Sequence, residues 1–111
     1  MPSASLHWKM QRLSAIALIP LTLWFIMSIA SLAHADYTTV HQWISTPLTI
    51  GLLILFVSLS AHHAILGMQV VLEDYVSEPL FTQFFTVIRI VLFIATALSL
   101  IAIVKIALET L

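Results

Sequence analysis

Three long apolar runs leave this chain few ways to fold. The first, Leu13 to Ala33, is 21 residues long and is broken only by Pro20 and a few Ser and Thr. A helix needs about 20 apolar residues to span roughly 30 Å of hydrocarbon, so this run matches one crossing. A second run extends from Pro47 to Glu73 and a third from Leu80 to Leu108. Backbone N–H and C=O groups in lipid must be satisfied inside their own segment, so each run is expected to be helical. Of the 111 residues, 61% are hydrophobic and 8% are charged. Soluble domains carry about 25% charged residues, so composition points the same way. The expected fold is all-α: an integral membrane three-helix bundle, a single domain over residues 1–111, with spans near 13–33, 47–73 and 80–108. It would form part of a larger hetero-oligomeric helix bundle.

Charge and cysteine content remove several classes of function. The formal net charge is −1, with no long basic run, so no nucleic-acid surface is expected. With no cysteine, the chain itself cannot form disulfides, ligate an iron–sulfur cluster or use a thiolate nucleophile. A cleaved secretory signal is a competing reading of the first run, because Lys9 and Arg12 precede it and Ala33-His34-Ala35 follows. Signal apolar regions are about 7–15 residues long, however, and two further spans follow, which favours retention.

Residues 34–47 read as a polar loop without Lys or Arg, in which Tyr37 and Trp43 suit a membrane–water interface. Pro20 predicts a kink in the first helix. Pro47, after Ser45 and Thr46, suits the first turn of the second helix. Three crossings place the termini on opposite sides. Lys9 and Arg12 flank the start of the first span, so the N-terminus is expected to be cytoplasmic, together with the acidic turn 74–79. Arg89 and Lys105 bracket the most apolar stretch of the third run, Ile90–Val104, and both can snorkel. The compact length, without an obvious presequence, points to a bacterial inner membrane ahead of a mitochondrial one.

Chemistry concentrates in the second run, between Ser60 and Tyr75. The eleven helical steps from His63 to Asp74 total about 1100°, roughly 20° past three turns, and Gly67 and Val70 fall within about 40° of the same line. One stripe therefore carries an imidazole at depth, a residue without a side chain, and a carboxylate at the membrane edge. An ionisable group inside a span is costly and usually faces protein or a cofactor. His63 lies about 16 Å of helix rise from Asp74, a depth that suits a neutral imidazole on haem iron. Composition alone weighs more toward a histidine hydrogen-bonded to Ser or to a carbonyl on a neighbouring helix. His62 points about 100° away and suits packing.

The remaining residues also carry two readings. Gly67 suits close helix packing, clearance for a flat macrocycle, or both. Asp74 and Tyr75 suit an interface, or a site where the phenol donates to a quinone carbonyl. Arg12 anchors topology and could also meet haem propionates. A six-coordinate haem would need its second ligand from another subunit, because one chain offers one well-placed histidine on this stripe.

The segment H-A-I-L-G-M-Q-V-V-L-E-D-Y-V, from His63 to Val76, resembles the second-helix signature of the succinate dehydrogenase hydrophobic membrane anchor family. That signature is a histidine, a glycine four residues later, and Asp-Tyr seven and eight residues after the glycine. The opening H-W-K-M-Q-R-L-S-A-I-A-L-I-P-L also resembles the family's start, and the three-span layout matches over nearly the whole chain. The resemblance implies that His63 is one axial ligand of haem b, opposite a ligand from a separate cytochrome b subunit. It implies that Arg12 lies near the haem propionates, that Tyr75 hydrogen-bonds ubiquinone, and that Asp74 neighbours that site. An iron–sulfur subunit together with a flavoprotein subunit would deliver electrons from succinate. Glu78-Pro79 departs from the pattern, standing where a basic residue often follows Asp-Tyr. Two other functions fit the residues: a haem-free structural or assembly anchor, and a free-standing b-type cytochrome in which two copies of His63 share one iron.

Overall fold

The computed structural model describes residues 4–109, and these form four helices and no strands. They are α1 (Ala4–Ser31), α2 (Tyr37–Ser45), α3 (Pro47–Tyr75) and α4 (Leu80–Glu109). Helices α1, α3 and α4 are each long and apolar enough to cross a membrane. The expected all-α membrane fold is therefore observed. At about 1.5 Å per residue the three are about 42–45 Å long, consistent with the 50 Å long axis of the chain. Helix α1 begins at Ala4, well before the apolar run, because its mixed first turns continue the helix beyond the hydrocarbon. It runs unbroken through Pro20, whose missing N–H frees the carbonyl of Ile16.

Helix α3 is the centre of the arrangement. It packs against α1 on one side and α4 on the other, while the backbones of α1 and α4 do not meet. Few side chains are enclosed: Leu21, Leu53, Leu66, Phe85 and Ile103 form the apolar core, with Ser14 and Thr49 as its polar members. Lipid tails solvate an exposed Leu as well as another helix does, so burial alone contributes little to cohesion here. Shape, ring stacking and polar pairs take over. Phe25 stacks on Phe56 across α1 and α3, with centroids 4.9 Å apart. Hydroxyls along α4 return to their own helix, Thr96 donating to the Leu92 carbonyl (2.7 Å) and Ser99 to that of Ala95 (2.8 Å).

The loop expected over residues 34–47 contains a helix, α2. Asp36 starts it in an extended conformation and accepts the Thr39 N–H at 2.9 Å, a side-chain N-cap. Val40, Trp43 and Ile44 then share one half-buried face, with Thr38, Thr39 and Gln42 exposed on the other. Nine residues make only two and a half turns, too few for periodicity to stand out in a polar stretch. The helix stops because Thr46 precedes Pro47 and is held extended at ψ 132°. Trp43 stacks on Trp24 of α1 (6.0 Å), and His41 Nε2 lies 3.6 Å from Glu109 Oε2 at the end of α4. Helix α2 thus braces the end of the molecule opposite Asp74 and Tyr75.

The hydrogen bonds from Thr39 hold the Asp36 carboxyl below its ordinary pKa. A carboxylate depressed in the folded state contributes stability above its unfolded pKa, and that contribution is lost as pH falls through the folded value. We therefore expect Asp36→Ala to speed amide exchange at Thr39 and Val40 at neutral pH, measured by hydrogen–deuterium exchange in detergent. The wild-type and Asp36→Ala rates should converge only below the normal carboxylate range.

Candidate functional site

The seam between α1 and α3 carries the polar chemistry. The two helices run antiparallel, which brings the N-terminal half of α1 alongside the C-terminal half of α3. Ser14 is the most deeply buried of the enclosed residues, at 4% exposure, and its Oγ lies 2.9 Å from His63 Nδ1. The same hydroxyl donates to the Gln11 carbonyl, also at 2.9 Å. A serine has one hydroxyl proton. With that proton on the Gln11 carbonyl, the bond to His63 forms only if Nδ1 carries the imidazole proton and donates to Oγ. The opposite tautomer would leave one hydroxyl proton for two acceptors. The arrangement with both bonds made leaves Nε2 as the ring nitrogen outside this contact.

His63 is half-buried and lines an open groove of about 430 Å³ with Ala15, Leu18, Ile19, Thr22 and Leu23 of α1. The groove is almost wholly apolar. Among the described residues no three His, Cys, Asp or Glu side chains converge to hold a metal ion. His63 could therefore supply a single ligand to a metal that brings the rest of its coordination with it. His62, also half-buried, stands a third of a turn away on α3.

One turn from His63, Gly67 faces α1: a Cβ there would lie 3.7 Å from Gln11 Nε2. The Gln11 side chain packs over this position at the helix crossing, with room for a methyl group. Toward the end of the seam, His7, Trp8 and Gln11 of α1 and Gln69, Val70 and Glu73 of α3 line a more polar recess of about 470 Å³. Gln69 donates to Glu73 at 3.0 Å. His7 Nε2 is buried without a hydrogen-bond partner among the described residues. Arg12 is exposed and lies over the Trp8 ring, 5.3 Å from its centroid, so its guanidinium is drawn toward the helix start. At about 100° per residue Arg12 shares a face of α1 with Ala15, Ile19 and Leu23, the lining of the His63 groove.

Asp74 and Tyr75 close α3 and are exposed, Tyr75 by 85%. They lie about 16–18 Å of helix rise from His63. The fold pairs Ser14 with His63 on one seam, leaves Arg12 exposed, and sets Asp74 and Tyr75 at the end of α3, apart from the imidazole. Arg89 belongs elsewhere: it sits over Phe85 (4.7 Å) in a groove between α3 and α4. Ser14, Gln11 and Gln69 are partners on this seam that the sequence alone did not single out. The available signal was a serine within an apolar run, two residues past Arg12.

Residues 1–104 match the family profile of the succinate dehydrogenase/fumarate reductase transmembrane subunit. The chain belongs to that family. Among curated relatives it is 37% identical over 75 residues to the succinate dehydrogenase hydrophobic membrane anchor subunit of Rickettsia bellii, covering 68% of this chain and 60% of the relative. The subunit of the same name from Rickettsia felis is 36% identical, over 68% of this chain and 62% of the relative. That of Rickettsia conorii is 32% identical over 100 residues, covering 83% and 79% respectively. The first two alignments thus span about three fifths of the relatives' own lengths. No solved structure matches the chain. Family membership and the three apolar helices together establish an integral membrane protein.

The contact at Gly67 sets a limit on side-chain size. A 3.7 Å approach is ordinary van der Waals contact, so Gly67→Ala should leave thermal stability in detergent nearly unchanged. Gly67→Leu should force α1 from α3 and cost about 1–3 kcal/mol, read as a lower unfolding midpoint.

Proposed function

We propose that this chain is a membrane anchor subunit of a succinate:ubiquinone oxidoreductase, supplying one axial ligand to haem b and part of a ubiquinone-reduction site. The observation that carries this reading is His63, midway along α3, with Nδ1 engaged by Ser14 and the ring lining an open apolar groove. A bare metal ion would find one ligand here; a haem brings four nitrogens of its own and leaves two axial positions to protein. The donor set fits that group. Haem, when bound, supplies one-electron redox chemistry within the membrane.

The chain's own residues divide the remaining tasks. His63 Nε2 holds the lone pair a metal requires. The groove walls, Ala15, Leu18, Ile19 and Leu23, exclude water from one face of a flat ligand. Arg12, its guanidinium 5.3 Å from the Trp8 ring centroid near the start of α1, would offer a positive charge to haem propionates. Tyr75 presents its phenol to a quinone carbonyl, and Asp74 orients polar neighbours or water beside it. A cytochrome b subunit would supply the opposing ligand, since the groove beside His63 is open among the described residues. An iron–sulfur subunit together with a flavoprotein subunit completes the electron path from succinate. Lys9 and Arg12 at the start of α1, with no Lys or Arg between α1 and α3, orient the N-terminus and the Asp74-Tyr75 end toward the cytoplasm of a bacterial cell.

One observation also favours a haem-free anchor: the bond to Ser14 alone satisfies one nitrogen of His63. Spectroscopy of the assembled complex separates the two. We expect His63→Ala to abolish or strongly shift the reduced-minus-oxidised haem spectrum and His62→Ala to leave it nearly unchanged; equal effects would reject the ligand assignment. We expect Tyr75→Phe to slow quinone reduction by about five- to tenfold, the value of one neutral hydrogen bond, while reduction of an artificial soluble acceptor continues. Unchanged quinone reduction would remove Tyr75 from the site.

A further inference from the structure

We infer that Ser14 is a positioning residue for the axial imidazole, holding His63 through a relay that ends on the Gln11 carbonyl. The inference rests on the reading of His63 as a haem ligand and deepens it. Metal-bound histidines almost always donate their second N–H to an acceptor that fixes ring orientation and tautomer. Among the described residues no carboxylate performs that task at His63. The acceptor is a hydroxyl on the neighbouring helix, buried to 4% exposure, whose own proton is committed to a backbone carbonyl.

The geometry has three consequences. The proton on Nδ1 is fixed, so Nε2 is committed to the metal without a competing tautomer. The ring is tied to α1, the helix that also forms the groove wall, so ligand and wall move together. The Oγ–H bond to the Gln11 carbonyl polarises the hydroxyl and makes it a better acceptor, which increases the donor strength of the imidazole. A stronger imidazole donor stabilises the oxidised, more positive iron. Ser14 therefore lowers the haem midpoint potential relative to a complex that lacks it.

The test uses the assembled complex carrying wild-type chain, Ser14→Ala, Ser14→Thr or Ser14→Cys. Haem content, midpoint potential by redox titration, and the low-spin electron paramagnetic resonance signal are measured for each. Loss of the acceptor in Ser14→Ala should weaken haem retention about ten- to a hundredfold, raise the midpoint potential and broaden the low-spin signal. Ser14→Thr keeps a hydroxyl and should return all three toward wild type. Ser14→Cys keeps the volume with a weak acceptor and should follow Ser14→Ala. A Ser14→Ala complex with wild-type haem content, potential and signal overturns the inference. So does a Ser14→Cys complex that matches wild type while Ser14→Ala fails to assemble, since that pattern makes the role one of packing. His63→Ala measured alongside separates the two readings: an unchanged haem spectrum there overturns the ligand assignment itself, whereas loss of haem in His63→Ala with normal Ser14→Ala overturns the positioning role alone.

Discussion

The hydrogen bond between His63 and Ser14 ties the two helices of the polar seam midway along α3. A neutral imidazole inside hydrocarbon is tolerated when its N–H finds an acceptor and its lone pair finds a donor or a metal. Ser14 supplies the first condition from within the chain. The second is left to whatever occupies the groove beside Ala15 and Ile19. Both sides of the bond depend on the crossing of α1 over α3, where Gln11 approaches Gly67 one turn away. Packing and polarity are thus the same feature seen from two helices.

The central position of α3 has a direct bearing on assembly. With α1 and α4 on opposite sides of it, each leaves most of its surface to lipid or to other proteins. Large apolar side chains along α1, such as Ile16, Ile19, Leu23 and Met27, are more than half exposed. In water such a surface would aggregate; in a bilayer it is neutral until a partner helix offers better packing. The open face next to His63 is therefore where a second membrane protein can approach without displacing any contact already made within the chain.

The polar groups are graded along the seam. Ser14 and His63 lie deep, Gln11 and Gly67 come next, and His7, Gln69 and Glu73 surround a recess nearer the end. Asp74 and Tyr75 stand in the open beyond it. Such a gradient lets a charged or hydrogen-bonding ligand edge meet polarity where lipid headgroups begin, with an apolar body held below. Arg12, leaning back over Trp8, follows the same logic from α1.

The apolar runs alone determined three helices and their approximate positions, because a backbone in hydrocarbon has no other partner than itself. They also singled out His63, since an imidazole is conspicuous where nearly every neighbour is aliphatic. Helix α2 was not legible: its turns are few, its face is mixed, and the Asp36 cap acts through geometry that a polar stretch does not advertise. The pairing of His63 with Ser14, the approach of Gln11 to Gly67 and the placement of Arg89 on the other side of α3 were decided by tertiary structure. Periodicity fixes which residues share a face of one helix, but the rotation and register between two helices arise only when their surfaces are fitted together.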